Sequence, residues 1–238
     1  QSDIAAAMRW AAGLSASPYV NPHPARVVNL SLGSTGTCSA TYRDAVNALT
    51  AAGVAVVAAA GNGAGLAANQ PSNCSGVIGV AGIRHIGTKV GYSNIGSMLA
   101  IAAPAGNCVN TGDNELCLYP LLTTTNLGNT VPGLNGYSDS YNISVGTSFA
   151  TPLVAGTVAL MLSANPALTP AQLSAALRAS ARSFPTTGAE AGTPQCVAPS
   201  SVEQDECYCT TTTCGAGMLD ASTAVLRATQ LVVPTASI

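Results

Sequence analysis

Three short stretches of this 238-residue chain hold residue types suited to acyl transfer. In Gly146-Thr147-Ser148-Phe149-Ala150-Thr151-Pro152, a serine stands where the short run 143–146 gives way to a helical pattern. Serine is a favoured helix N-cap, and that is the plain structural reading. The chemical reading is that a helix N-terminus presents Ser148, with unpaired N–H groups and a dipole that favour nearby negative charge. Gly146 and Ala150 leave room for a substrate chain to approach. The pattern is not the Gly-x-Ser-x-Gly elbow, because position 150 is alanine. In Ala58-Ala59-Ala60-Gly61-Asn62-Gly63, an apolar run ends in Gly-Asn-Gly. Such a triplet is commonly a tight turn, yet a rigidly held Asn62 amide is also a donor suited to an oxyanion. A dinucleotide loop is excluded: Gly61, Gly63 and Gly65 lack the G-x-G-x-x-G spacing, and no acidic residue lies near position 83. Val28-Asn29-Leu30-Ser31-Leu32-Gly33, taken alone, is a buried strand with a glycine stop.

Together and in this order, the three segments resemble the subtilisin-like serine proteases (the subtilase family), of the secreted bacterial type. Gly146–Pro152 is similar to that family's nucleophile signature G-T-S-x-A-x-P, Ala58–Asn62 to its oxyanion segment, and Asn29–Gly33 to its substrate-pairing strand. The resemblance covers most of the chain and implies a secreted serine endopeptidase acting through an acyl-enzyme on Ser148. It implies that Asn62 and the Ser148 N–H stabilise the oxyanion. Ser31, Leu32 and Gly33 would form one wall of the pocket for the residue before the scissile bond, and Ala59, Ala60 and Gly61 the other. These small residues would admit a large or apolar side chain. The chemistry implies no cofactor. Structural calcium is common in the family, and here Asp113, Asn114 and Glu115 offer oxygens but read better as a solvated turn.

The same resemblance exposes a gap. Subtilisin-like enzymes order their triad Asp, His, Ser along the chain, and both partners should precede Val28. Only residues 1–26 lie before Val27, and their one histidine, His23, sits between prolines. His85 lies beyond the strand and reads as a surface residue; Asp3 reads as a helix cap. Residues 1–238 are therefore expected to be the C-terminal portion of one peptidase domain, lacking its Asp and His, inactive alone and bare where N-terminal strands belong. That apolar surface would bind the missing N-terminal segment or make a dimer. The alternatives are a non-catalytic pseudoprotease that binds peptides or proteins, and an unrelated α/β binding protein.

The elements that must position these residues read as α/β. Apolar strand-like runs at 27–32, 54–60, 77–82, 99–103 and 143–146 alternate with helical patterns at 3–12, 41–52, about 148–163, 170 to about 181, and 220–229. Ser2 is the expected cap of the first helix. Thr169-Pro170-Ala171-Gln172 has the form of a capping box with proline at the first helical position. Continuous apolar strands between helices predict a three-layer, mostly parallel sheet with helices on both faces. Residues 183–215 read as a Cys-rich loop insertion.

Composition narrows the setting. A net charge of −2 without a basic cluster argues against nucleic acid. No apolar run reaches about 18 residues, so no membrane span is expected. Charged residues are only 8% of the chain, with Lys89 the one lysine, while 47% are hydrophobic. Gln1, with no initiator Met or leader pattern, reads as the start of a processed product. Eight cysteines point to disulfides in an oxidising, extracellular compartment. A zinc site at Cys207, Cys209 and Cys214 is disfavoured because no histidine or CxxC lies nearby. Cys108 with Cys117 and Cys38 with Cys74 are the expected pairs. Cys196, Cys207, Cys209 and Cys214 leave three arrangements open.

Overall fold

A computed structural model describes residues 1–15, 18–107, 119–139 and 145–232. Its centre is a four-stranded parallel sheet in the order β1-β2-β3-β4, formed by Val27–Leu30, Ala55–Ala59, Val77–Ile83 and Ile101–Pro104. The strands are short and almost wholly apolar because both faces are covered. Side-chain alternation divides them between two cores. Ala55, Val57, Ile78, Val80, Ile101 and Ala103 face one way, toward α3 (Thr147–Ala164), α4 (Pro170–Ala179) and α5 (Ala221–Gln230). Val28, Leu30, Val56, Ala58 and Val77 face the other way, toward α1 (Ser2–Ala11) and α2 (Ala40–Ala51). This is the three-layer α/β arrangement.

Beyond the reach of α1 and α2, the second face is covered by the Cys-rich loop. Ala81, Ile83 and Ala102 pack with Cys196, Cys207, Cys209, Cys214 and Phe184. The loop is closed by Cys196–Cys207 and Cys209–Cys214, one of the three pairings left open by the sequence. Cys38–Cys74 forms as expected, tying the start of α2 to the turn before β3. Three of the sulfurs lie within 4.8 Å of one another. All are committed to disulfides, so none is a thiolate for zinc. The Cys108–Cys117 pair and the Asp113–Glu115 oxygens lie outside the described residues.

Several local expectations change. Ser2 is the first residue of α1 and its side chain caps nothing, while Asp3 lies inside the first turn. The strand expected at 143–146 falls partly outside the described residues, and a hairpin of β5 (Thr123–Asn126) with β6 (Asn135–Ser138) was not foreseen. Its strands are polar and alternate between half-buried and exposed, so they lack an apolar run. The capping box at Thr169 and Gln172 forms as read. The helix α3 is long and apolar enough, by length and composition, to cross a membrane, which run length alone did not anticipate. Half of it is buried against the sheet, as in a core helix.

Candidate active site

The carboxyl ends of β1 and β2 lie side by side, with Leu30 paired to Ala58. The segments leaving them therefore run out on the same edge, where ligands gather in open α/β sheets. Ser31, Leu32 and Gly33 are exposed there. Of the second segment, Gly61 is half-buried, but Ala59 and Ala60 are buried, with the Ala60 methyl in the core beneath the Cys-rich loop.

Ser148 is the second residue of α3 and is half-buried. Gly146, just before the helix, has φ of 137°, a conformation that side chains disfavour. A Cβ at that position would stand 3.2 Å from Asn62 Nδ2 and 3.7 Å from Ser148 N. Two N–H donors thus border one small space, kept open by the absence of a side chain.

The orientation of Asn62 is set by its neighbour. Its Oδ1 accepts from both the Thr147 N–H (3.0 Å) and the Thr147 hydroxyl (2.9 Å). The same Thr147 Oγ1 accepts from the Gly61 N–H at 3.2 Å. With its oxygen engaged twice, Asn62 is held with Nδ2 toward Gly146. Thr147 is fully buried, so these bonds are shielded from water.

Proline at position 152 shapes the other side of Ser148. Pro152 lies inside α3 and has no N–H to give to the carbonyl four residues back, which is that of Ser148. The Ser31 hydroxyl donates to this oxygen at 2.7 Å, and Asn29 Nδ2 in turn donates to Ser31 Oγ at 2.9 Å. The Ser148 hydroxyl donates to the Ser31 carbonyl at 3.3 Å. Among the described residues no histidine hydrogen-bonds Ser148. His23 lies in the loop after α1 with its N–H on Asn21, and His85 stacks on Tyr119 at 3.8 Å. Burial and the neighbouring Arg84 hold His85 below the usual imidazole range.

Behind the site, Tyr92 accepts from the Gly146 N–H at 3.1 Å and donates to the carbonyls of Ala105 and Gly106. Burial pushes its hydroxyl well above the ordinary value, with the Gly146 N–H acting the other way. Asn94 donates its N–H to the Gly61 carbonyl (2.9 Å) and accepts the Gly63 N–H (2.7 Å). Sequence reasoning assigned no role to Thr147, Tyr92, Asn94 or Lys89. Being the chain's one lysine was the only mark on Lys89, and it names no role.

This arrangement can hold a hydroxyl nucleophile beside two convergent N–H donors. Comparison with known proteins agrees with that chemistry. A model of the subtilase family matches residues 1–207. The chain is 39% identical over 230 residues to an extracellular protease of Xanthomonas campestris pv. campestris, covering 95% of this chain and 33% of that protein. It is 33% identical over 186 residues to subtilisin Savinase of Lederbergia lenta, covering 78% of this chain and 56% of the relative. A solved protease from Pseudoalteromonas arctica superposes with a TM-score of 0.76 at 38% identity, over 95% of this chain and 58% of that one. The chain thus spans between a third and three fifths of the length of these relatives. On sequence and fold alike, the chain belongs to the subtilase family.

Proposed function

We propose that this chain is the nucleophile-bearing part of a secreted serine endopeptidase. Ser148 Oγ attacks the scissile carbonyl, and the carbonyl oxygen, now negative, is received by Asn62 Nδ2 and the Ser148 N–H. The amine leaves with a proton, and water then releases the acyl group by the reverse geometry. The observation that carries this reading is the double engagement of Asn62 Oδ1 by Thr147, which leaves Nδ2 beside the Ser148 N–H. A binding module has no physical need for that constraint.

A general base must take the Ser148 proton, and we place it, with its orienting aspartate, on a segment of the longer protein outside residues 1–238. Two features support a covering segment. Among the described residues, β1 stands at the sheet edge with no strand on its outer side. The helix α3 is apolar all round, yet Leu153 and Leu160 are 43% and 58% exposed, with Pro152, Gly156 and Ala159 on the same side. Helices of that composition are normally buried on every side. Exposed Ser31–Gly33 would take the substrate backbone as an added strand, with Gly61 opposite. Relatives named as extracellular, scarce charge and the disulfides support secretion.

The test is fluorophosphonate labelling of the protein expressed from its complete reading frame and of residues 1–238 alone. The complete protein should label at Ser148, cleave peptides and lose both on Ser148→Ala, while the shorter chain labels negligibly and self-associates through its bare face. Strong labelling of residues 1–238 alone would show that the base lies within them. A complete protein that neither labels nor cleaves would overturn the enzyme reading in favour of a binding module.

A further inference from the structure

Lys89 is fully buried, and its ammonium donates to three backbone carbonyls of the following turn: Val90 at 2.9 Å, Gly91 at 2.6 Å and Ser93 at 3.2 Å. All three N–H donors are therefore used. The Lys89 main chain is held separately, its N–H donating to the Cys207 carbonyl at 2.9 Å. Charged neighbours are few: Asp205 acts on it through space, and the nearby Glu206 is occupied by Arg84 and Thr88. Burial pushes Lys89 down to about 7 against the pull of Asp205, and each carbonyl oxygen favours the charged form.

Three carbonyls facing one point is a costly backbone arrangement unless a cation or several donors sit there. What that arrangement supports is the back of the catalytic site. The Ala64 and Gly65 N–H groups donate to the carbonyls of Tyr92 and Ser93, both at 2.9 Å. Asn94 grips Gly61 and Gly63 on either side of Asn62. The Tyr92 hydroxyl accepts from Gly146, directly before the nucleophile's helix. Residues 92–94 thus contact both oxyanion donors' supports, and the Lys89 ammonium ties that turn together.

We propose that Lys89 is a positioning residue for the oxyanion site: by gathering the carbonyls of Val90, Gly91 and Ser93, it sets the turn that aligns Asn62 and Gly146. It touches no substrate and acts through Asn62. This inference rests on the enzyme reading above.

The experiment uses the complete enzyme, with active sites counted by fluorophosphonate titration so that misfolded protein does not enter kcat. Lys89→Met keeps the stem and removes the donors. It should lower kcat per titrated site by about 10- to 100-fold, as misplacement of an oxyanion donor does, with KM within about threefold of the parent. In an Asn62→Ala background the same substitution should cost less than about threefold, because the donor it aligns is already gone. Lys89→Arg, which again offers several donors to the carbonyls, should recover most of the loss. A Lys89→Met enzyme with kcat per site within about twofold of the parent, or an equal loss with and without Asn62, overturns the proposal. Should Lys89→Met not fold, Lys89→Gln, with two donors, is read by the same criteria. A parent enzyme lacking Ser148-dependent hydrolysis defeats the enzyme reading and this inference together; an active parent with an indifferent Lys89 defeats this one alone.

Discussion

The Ser31 hydroxyl donates to the main-chain carbonyl of Ser148 at 2.7 Å, an oxygen that Pro152 leaves without its helical partner. Proline in a helix interior ordinarily removes a bond and pushes on the preceding turn. Here the lost donor is replaced from β1's extension, so Ser148 is attached to the strand expected to bind substrate. The signature's serine and proline are thus two parts of one hydrogen-bond account, with Ser31 the third.

That account predicts a coupling. Ser31→Ala leaves the Ser148 carbonyl without its donor and should destabilise the fold by about 1 kcal/mol. Pro152→Ala supplies a helical N–H to the same oxygen, so in that background Ser31→Ala should cost markedly less. A double-mutant cycle by urea denaturation measures the difference. Equal costs in both backgrounds would mean that the Ser31 hydroxyl does nothing for the Ser148 carbonyl.

Cys38–Cys74 closes a loop with a sequence separation of 36 that contains β2 and the Asn62 segment. Cross-linking such a loop restricts the unfolded chain, and removing the bond typically costs about 2–4 kcal/mol. The Cys38→Ala/Cys74→Ala pair should lower the urea midpoint accordingly. Because both cysteines pack in the core shared by α1 and α2, not in the one that holds α3, fluorophosphonate labelling of the folded fraction of the complete enzyme should not change. Labelling that fell in the folded fraction would show that the cross-link also shapes the site.

Most of the framework could be read from residues 27–104, because a doubly covered parallel strand must be a continuous apolar run and each such run ends in small or turn-forming residues. Ser148 and Asn62 drew attention in the sequence for a different reason: their motifs combine a hydroxyl or amide with glycine at positions where the backbone needs it. The supports were not legible. Thr147 looks like any helix-starting threonine until Asn62 is folded against it. The place of Lys89 in the fold emerges only when three carbonyls from its own turn close around it, a local conformation with no periodicity. The β5–β6 hairpin escaped because its polar strands carry no alternating apolar face. The Ala60 methyl packs beneath the Cys-rich loop, where sequence marked only an insertion.

Asp220 offers a pH test of local structure. It caps α5, its Oδ1 accepting the Thr223 N–H at 2.9 Å, and that bond holds its carboxyl below the ordinary value of 3.8. A carboxyl whose folded value is depressed contributes stability at pH above its unfolded value and loses it as pH falls through the folded one. Asp220→Ala should therefore lower the melting temperature at neutral pH, and the gap to the parent should narrow below 3.8. Asp220→Asn keeps the acceptor without the charge, so its own deficit should be smaller and nearly flat with pH. A gap for Asp220→Ala that persisted undiminished into acid would remove the carboxylate from the account.

The last test concerns Thr147, whose hydroxyl both donates to Asn62 Oδ1 and accepts from Gly61. In the complete enzyme, Asn62→Ala should lower kcat by about 10²–10³, a magnitude transferred from subtilisin's own asparagine donor. Thr147→Val is nearly isosteric but removes the hydroxyl. Asn62 then keeps one of its two restraints, and the half-buried Gly61 loses that acceptor for its N–H. Turnover should fall about tenfold with KM little changed, the pattern of an interaction that matters mainly in the transition state. Thr147→Ser retains the hydroxyl and should stay close to the parent. Added to Asn62→Ala, Thr147→Val should cost little more, since the amide it orients is absent. A full tenfold further loss would place Thr147's contribution outside the oxyanion site, in the helix start or the substrate wall at Gly61.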